Sequence, residues 1–202
     1  MLTNRWDDYY RATADRPPRD TLLHALASFE TEGRIALFAV DLGCGSGMDT
    51  FELLRRGWRV LAIDGQPEAI ARVEAIAPPE YRDRLQSQVA AFESLALLPA
   101  DLINASFSLP FCAPDRFDAL WADIRAALQP GGRFTGHLFG DRDGWANRAD
   151  MTCHTVAQVQ ALLAGLVVEY FIEEENDGVT ALGDPKHWHT FSIVARRLTT
   201  DD

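Results

Sequence analysis

The hydrophobic pattern of the chain alternates between short apolar runs and segments that repeat apolar side chains every three or four residues. The runs predict buried strands, and the repeats predict helices. Seven strands are predicted, at residues 35–41, 59–64, 85–90, 102–106, 133–139, 167–175 and 188–196. The helices predicted between them lie at residues 50–56, 67–76, 115–128 and 155–163.

This order of elements predicts the α/β class with a doubly wound sheet. A strand, a helix and a second strand in succession form a right-handed crossover, so the strands run parallel and helices cover both faces. The last two strands have no helix between them and are predicted to pair antiparallel across a turn-rich segment at residues 176–185. A ligand crevice is expected at the carboxyl ends of the parallel strands.

Two N-terminal helices are predicted ahead of the first strand. The first carries Trp6, Tyr9 and Tyr10 at helical spacing. Pro17 stops this helix because a proline disfavours helical geometry in the residue before it. A second helix begins near Asp20, which can cap it.

The charge and composition of the chain disfavour several classes of binding partner. The 202 residues include 19 basic and 30 acidic side chains, and the formal charge of −11 disfavours nucleic acid and anionic membranes as partners. The sequence contains no run of about 18 apolar residues and no signal-peptide pattern, so no membrane span is predicted. Three widely spaced cysteines predict neither a disulfide framework nor a zinc site, so we expect a cytoplasmic protein.

A glycine-rich loop joins the first predicted strand to the next helix. Residues 41–47 read Asp-Leu-Gly-Cys-Gly-Ser-Gly, and glycines at such a junction let a ligand approach the backbone and the amides of the helix N-terminus. A dinucleotide fingerprint that starts at Gly43 needs a glycine where Met48 stands, and a Walker loop needs a lysine that is absent. The spacing therefore disfavours both phosphate-binding loops.

The second predicted strand ends in Asp64. A carboxylate at this position can accept hydrogen bonds from two neighbouring ribose hydroxyls, which indicates an adenosine-type ligand. Asp64 can instead cap the helix that begins near Pro67. Its occurrence together with the glycine loop favours the ligand-binding role.

The order of these motifs resembles the class I S-adenosylmethionine-dependent methyltransferases, whose first motif reads acid-x-Gly-x-Gly-x-Gly and whose second strand ends in an acid. The resemblance covers about residues 35–139 and implies a Rossmann-like fold. It also implies that the glycine loop holds the methionine part of the cofactor and that Asp64 binds its ribose. The cofactor-binding residues implied around these motifs are Asp41, Gly43, Cys44, Gly45, Ser46, Asp64, Gly65 and Gln66.

The resemblance implies further cofactor contacts after the third and fourth strands. Family members often carry an acid and then an apolar residue for the adenine; here Ala91 replaces the acid, which leaves Phe92 to cover the ring and Glu93 or the backbone to meet its amino group. Alternatively, Phe92 is a core residue and Glu93 a first-turn helix residue. Asn104 ends the fourth strand and is implied to contact the cofactor, or else it only enters a turn. The Asn/Asp-Pro-Pro-aromatic motif of enzymes that methylate DNA and protein amides is absent, which disfavours methylation of base amino groups.

The N-terminal segment resembles the lead-in of the tellurite-resistance and thiopurine-type branch, where this segment covers the cofactor. The similarity rests on the aromatic helix and on the break at residues 16–18, and it implies that Tyr10 and Arg16 can reach the cofactor carboxylate. An aromatic stripe used only for packing is the alternative. The organisation implied for the single domain 1–202 is an N-terminal helical lid at 1–33, a cofactor-binding core at 34–140 and a substrate-side part at 141–202.

Methyl transfer needs few catalytic side chains, because displacement from a sulfonium depends mainly on alignment. An acceptor that must lose a proton needs a base, and the candidates are His137, His187 and His189. His187 and His189 share a strand face and could form a metal site with His154, but strand histidines without a defined third ligand are more often hydrogen-bonded, so no metal is predicted. Residues 140–145 form either a substrate-side loop or a simple polar turn.

These observations predict S-adenosylmethionine-dependent methyl transfer to a small-molecule acceptor. The sequence leaves two alternatives open. One is a nicotinamide-dependent oxidoreductase, against which Met48 counts. The other is a non-catalytic protein that binds S-adenosylmethionine, which Ala91 and the missing fourth-strand motif support.

Overall fold

One mixed sheet of eight strands organises the computed structural model, which describes residues 3–35 and 37–199. The strands are β1 (Phe38–Leu42), β2 (Arg59–Asp64), β3 (Leu85–Val89), β4 (Ala100–Ala105), β5 (Leu128–Gly140), β6 (Cys153–His154), β7 (Leu166–Val179) and β8 (Pro185–Arg197). Their order is β3-β2-β1-β4-β5-β8-β7, and the two-residue β6 pairs with β5 beside this path.

The sheet confirms the predicted Rossmann-like, doubly wound architecture. Strands β1 to β5 run parallel, whereas β8 is antiparallel to both β5 and β7. The register sets Asp41 of β1 beside Asn104 of β4. The carboxyl ends of β1, β2 and β4 therefore meet at one edge, where ligands bind in open α/β sheets.

The C-terminal hairpin is longer than the sequence pattern predicted. The predicted turn at residues 176–185 lies partly within the strands, because β7 continues to Val179 and β8 begins at Pro185. His187 lies opposite Asp177, and its Nδ1 is 2.7 Å from the Asp177 Oδ1. Charged pairs across the two strands stabilise their pairing, so the hairpin extends through a segment whose residues do not alternate between apolar and polar.

Six helices flank the sheet in the described part of the chain: α1 (Thr3–Ala12), α2 (Asp20–Thr31), α3 (Met48–Arg55), α4 (Pro67–Ile76), α5 (Pro114–Ala127) and α6 (Val156–Leu162). Thr155 and Gln158 form a capping box that starts α6. None of these helices has the length and apolar character to cross a bilayer.

The two faces of the sheet pack into separate cores. Successive strand residues point to opposite faces, so Val40 joins the cluster that contains Phe117 of α5, whereas Ala39 joins the cluster that contains Leu26 of α2. Both cores lie under the strands whose carboxyl ends meet, and they hold that edge in place.

Arg133 of β5 connects α2 to the sheet as a buried cation. Its side chain is 1% exposed. The guanidinium bonds Glu169 at 2.6 Å and Glu32 at 3.1 Å, and it lies 4.5 Å from the ring centroid of Phe29. Its hydrogen bonds hold the pKa of Glu32 below the usual value.

Replacing this buried cation should destabilise the fold. For Arg133→Met we expect a loss of about 3 kcal/mol in the free energy of unfolding, the lower end of the range for a broken buried pair, because Glu32 is partly solvated. Urea denaturation measures it. The matched control is Arg148→Met, which removes an exposed pair with Asp150 and should cost less than about 1 kcal/mol. Equal losses in the two variants would contradict this role.

Candidate functional site

The loop between β1 and α3 adopts a conformation that requires glycine. Gly43, Gly45 and Gly47 have φ angles of 70°, 52° and 84°, in the left-handed region that other residues disfavour. A Cβ on Gly43 would lie 2.3 Å from the Cβ of Ser108. The loop is therefore pressed against the segment that follows β4.

The same loop is hydrogen-bonded to the end of β2. The backbone amides of Gly43 and Cys44 donate to the carbonyl oxygen of Ile63 at 2.8 and 2.9 Å. The amide of Gly45 donates to the carboxylate of the next residue, Asp64, at 2.9 Å. These bonds set Asp64 at the rim of the glycine loop.

The Asp64 carboxylate accepts hydrogen bonds from three parts of the chain. Besides the Gly45 amide, it accepts the Gln66 amide at 2.9 Å and the Tyr10 hydroxyl at 3.2 Å. Burial raises the pKa of Asp64 and outweighs these three bonds, which act to lower it. Burial and the Asp64 carboxylate together raise the pKa of Tyr10. The tyrosine thus stays a neutral donor that ties α1 to the site.

A buried polar network lies beneath the loop. The Asn104 amide nitrogen donates to Asp41 at 2.8 Å and to Asp49 at 3.3 Å, and the Thr50 hydroxyl donates to Asp41 at 2.5 Å. Asp49 also accepts from Arg16 at 3.0 Å. Burial and the nearby Asp49 raise the pKa of Asp41; burial acts on Asp49 in the same direction, but its bonds from Arg16 lower its pKa overall.

A cleft of ≈780 Å³ opens above this network, within the size range of small-molecule sites. The glycine loop and the carboxyl ends of β2 and β4 form one side, and α1, the segment after β5 and the β7–β8 hairpin form the other. Residues from these parts that line it include Tyr10, Gly45, Asp64, Phe107, Trp145 and Trp188.

Comparison with known proteins identifies a domain within the chain. The family model described as "Methyltransferase domain" matches residues 39–132. Residues 39–132 form a class I methyltransferase domain. Domains of this class take S-adenosylmethionine as their cofactor.

Two curated relatives match this methyltransferase domain. Magnesium-protoporphyrin O-methyltransferase of Rhodobacter capsulatus is 35% identical over 101 residues, covering 50% of this chain and 45% of the relative. A carboxy-S-adenosyl-L-methionine synthase of Pseudomonas syringae pv. tomato is 36% identical over 101 residues, covering 46% of this chain and 41% of the relative. The chain thus spans less than half the length of these relatives.

Solved structures share the methyltransferase fold at low sequence identity. TehB from Haemophilus influenzae superposes with a TM-score of 0.70 at 14% identity, covering 86% of this chain and 61% of that one. The N-methyltransferase NodS from Bradyrhizobium japonicum, solved with S-adenosylhomocysteine, gives 0.64 at 16% identity, covering 91% and 89%. These likenesses show the fold.

The structure brings most of the sequence-predicted cofactor residues together at the cleft. Those that line it are Tyr10, Gly43, Cys44, Gly45, Ser46, Asp64, Gly65, Gln66 and Phe92. Asp41 and Asn104 are buried beneath the loop and bind each other, and neither is among the residues that line the cleft. The side chain of Glu93 lies outside the described part of the structure.

The three candidate bases occupy different surroundings. His137 is buried against Phe107, with ring centroids 4.0 Å apart. His187 and His189 lie on β8 against the carboxylates of β7, with Nε2 of His187 3.1 Å from Glu175 and Nε2 of His189 2.9 Å from Glu173. Neither contributes to the cleft lining. Within residues 3–35 and 37–199, the acids, cysteines and histidines form no group of three that could hold a metal ion.

The sequence analysis did not single out two residues that line the cleft, Phe107 and Arg19. Phe107 has a φ of 55°, and such a conformation in a bulky residue is strained and often functional. The guanidinium carbon of Arg19 lies 4.6 Å from the Phe107 ring centroid. The sequence carries no signal for either feature, because the first is a backbone conformation of a non-glycine residue and the second is a contact between segments far apart in the chain.

Removing the amide beneath the glycine loop should destabilise the protein. Asn104→Ala leaves Asp41 and Asp49 without a shared donor, and a buried group that loses its partner costs about 1–3 kcal/mol. Urea denaturation of Asn104→Ala is compared with that of Asn147→Ala, a change at an exposed residue. If both variants unfold at the same urea concentration, the network does not support the loop.

The buried His137 should make stability depend on pH. Burial, with a smaller contribution from Arg19, lowers its pKa from 6.5 to about 3. Between these values the unfolded chain binds a proton that the folded protein excludes, so stability falls as the pH falls from about 6.5 towards about 3. His137→Gln removes this contribution, and the difference in unfolding free energy between variant and wild type should shift across that window only. Parallel pH profiles would contradict the burial of a neutral histidine.

Proposed function

We propose that the protein transfers a methyl group from S-adenosylmethionine to a small-molecule acceptor in this cleft. One observation carries the proposal: the backbone of the glycine loop is bonded to the carboxylate of Asp64 at the rim of a single cavity. Main-chain groups and a carboxylate thereby face the same space. This set of groups suits a ligand that carries both an amino acid and a ribose.

Each part of the cofactor has chain groups that suit it. The Asp64 carboxylate keeps a cleft-facing position from which it can accept hydrogen bonds from ribose hydroxyls. Residues Gly43 to Ser46 offer backbone to the methionine part, and Phe92 offers an apolar ring to the adenine. Tyr10 holds Asp64 in place from α1.

Alignment is the main catalytic demand on this chain. Bound S-adenosylmethionine supplies an electrophilic methyl group on a sulfonium. The lowered pKa of His137 makes it a weak base, and His187 and His189 lie away from the cleft lining. These placements favour an acceptor that reacts as an anion or a soft nucleophile and needs no base.

The N-terminal helices act as a lid over the cofactor in this proposal. Tyr10 reaches Asp64, the Ser46 hydroxyl donates to the carbonyl oxygen of Thr13 at 3.1 Å, and Arg16 pairs with Asp49. These contacts fasten residues 3–33 to the proposed core at 34–140. Residues 141–199 supply the facing wall, which is the proposed substrate side.

A thermal-shift titration tests the cofactor class. S-adenosylmethionine, S-adenosylhomocysteine and NAD are compared side by side, because a ligand that binds the folded state raises Tm. The proposal expects a rise with the first two and none with NAD. A rise with NAD alone supports the oxidoreductase alternative, and turnover with any acceptor excludes a non-catalytic binding protein.

Asp64→Ala should weaken the binding of S-adenosylmethionine. Loss of charge-assisted hydrogen bonds to the ribose should cost about 1.5–3 kcal/mol of binding free energy. Calorimetric titration measures it, and Asp118→Ala on the exposed face of α5 is the control. Unchanged affinity in Asp64→Ala would place the ribose elsewhere.

A further inference from the structure

Aromatic rings from α1, from the segment after β4 and from the proposed substrate side form one wall of the cleft. Trp6 contacts Phe111 at 5.1 Å between ring centroids, Phe111 contacts Trp145 at 6.2 Å, Trp145 contacts Trp188 at 6.1 Å, and Trp188 contacts Phe107 at 6.3 Å. All five rings are half-buried and line the cavity. The contacts are edge-on or tilted, so the rings present a concave apolar surface to a ligand.

A buried ion pair between Lys186 and Asp143 packs against the aromatic wall and holds it in place. The Lys186 ammonium bonds the Asp143 carboxylate, and both side chains are almost completely inaccessible. The ammonium lies 4.0 Å from the ring centroid of Trp188 and 4.4 Å from that of Trp145. Asp143 also accepts the backbone amide of Trp145 at 2.9 Å. A wall held in this way is preorganised, which lowers the entropic cost of ligand binding.

Arg19 adds a cation with an unused donor to the aromatic wall. Its guanidinium lies over Phe107, and its Nε is buried without a hydrogen-bond partner. The other arginines of the described cleft lining are paired: Arg5 with Asp184, Arg16 with Asp49, and Arg148 with Asp150. Among the described residues, no hydrogen bond or ion pair engages the terminal nitrogens of the Arg19 guanidinium either, so an anionic ligand in the cleft can bind them.

The acidic groups of the cleft leave this position open to an anion. Asp64 belongs to the glycine-loop side and already holds three donors. Asp184 is paired with Arg5, and Glu174 is an exposed residue on the β7–β8 hairpin. None of these three carboxylates is bonded to Arg19 within the described residues. Asp49 accepts the backbone amide of Arg19 at 3.1 Å but is paired with Arg16, so the guanidinium next to Phe107 keeps an unpaired positive charge.

We propose that the aromatic wall and Arg19 form the acceptor subsite, and that the acceptor is a flat aromatic molecule carrying an anionic oxygen. The ring packs against the half-buried aromatic residues, and the oxygen binds the Arg19 guanidinium. This inference rests on the proposed function only where it calls the ligand a methyl acceptor. The subsite itself is defined by the aromatic wall and Arg19.

Three matched probes test the ligand class by calorimetry. 1-Naphthoate is aromatic and anionic, 1-naphthamide is aromatic and neutral, and decahydronaphthalene-1-carboxylate is anionic and saturated. Each is titrated into the whole protein with and without S-adenosylhomocysteine. The proposal expects 1-naphthoate to bind about tenfold or more tightly than either of the others, the change that one charge-assisted hydrogen bond supplies. Equal binding of the three probes, or binding of none, overturns it.

Variants separate Arg19 from a charge outside the cleft. Arg19→Gln should weaken 1-naphthoate by about tenfold or more and leave 1-naphthamide unchanged. Arg82→Gln, which removes an exposed charge outside the cleft lining, should leave both unchanged. Trp188→Leu should weaken 1-naphthoate and 1-naphthamide together, and Trp188→Phe should restore them. If Arg19→Gln weakens S-adenosylhomocysteine but not 1-naphthoate, Arg19 holds the cofactor carboxylate and the proposal is wrong.

The same titrations distinguish the two proposals. Binding of S-adenosylhomocysteine without any preference for 1-naphthoate overturns the subsite and leaves the methyl-transfer function standing. Selective binding of 1-naphthoate without binding of S-adenosylhomocysteine supports an aromatic-anion site and overturns the methyl-transfer function.

Discussion

The cleft depends on one buried amide, that of Asn104. It donates to Asp41 at the end of β1 and to Asp49 at the start of α3, so it joins two parallel strands to the helix that follows the glycine loop. A buried carboxylate is tolerated only when donors satisfy it. The residues on both sides of the loop are joined through this amide, and Thr50 and Arg16 hold the same two carboxylates.

The pKa values of the two carboxylates under the loop shift in opposite directions, because only Asp49 is hydrogen-bonded to a cation. Asp41 has neutral donors and a raised pKa, whereas Asp49 is bonded to Arg16 and has a lowered pKa. The raised pKa of Asp41 reflects its burial and its repulsion by the neighbouring Asp49. The bond with Asp49 draws Arg16 to the loop, and with it the segment that connects α1 to α2. The electrostatics under the loop thus fix the position of the segment between α1 and α2.

The sequence predicted what depends on local pattern and missed what depends on tertiary contact. The strands and helices, the glycine loop and Asp64 can each be recognised from a short stretch of sequence, and the sheet confirms the predicted class. The role of Asn104 was harder, because its partners lie 63 and 55 residues away. The strained φ of Phe107 and the approach of Arg19 leave no periodicity to detect. The length of the β7–β8 hairpin depends on charged pairs across the strands, which hydrophobic patterning cannot register.

The attachments of α1 are strong at one end and weak at the other. Tyr10 is bonded to the buried Asp64, and the segment that follows is fixed through Arg16. Towards the other end, Arg5 pairs with Asp184 of the hairpin at 2.7 Å, but both side chains are more than half exposed. An exposed pair contributes at most about 1 kcal/mol, so water competes for it readily. The proposed lid is therefore held more firmly over the glycine loop, by Tyr10 and Arg16, than beside the hairpin, where Trp6 packs on Phe111 and Arg5 forms an exposed pair.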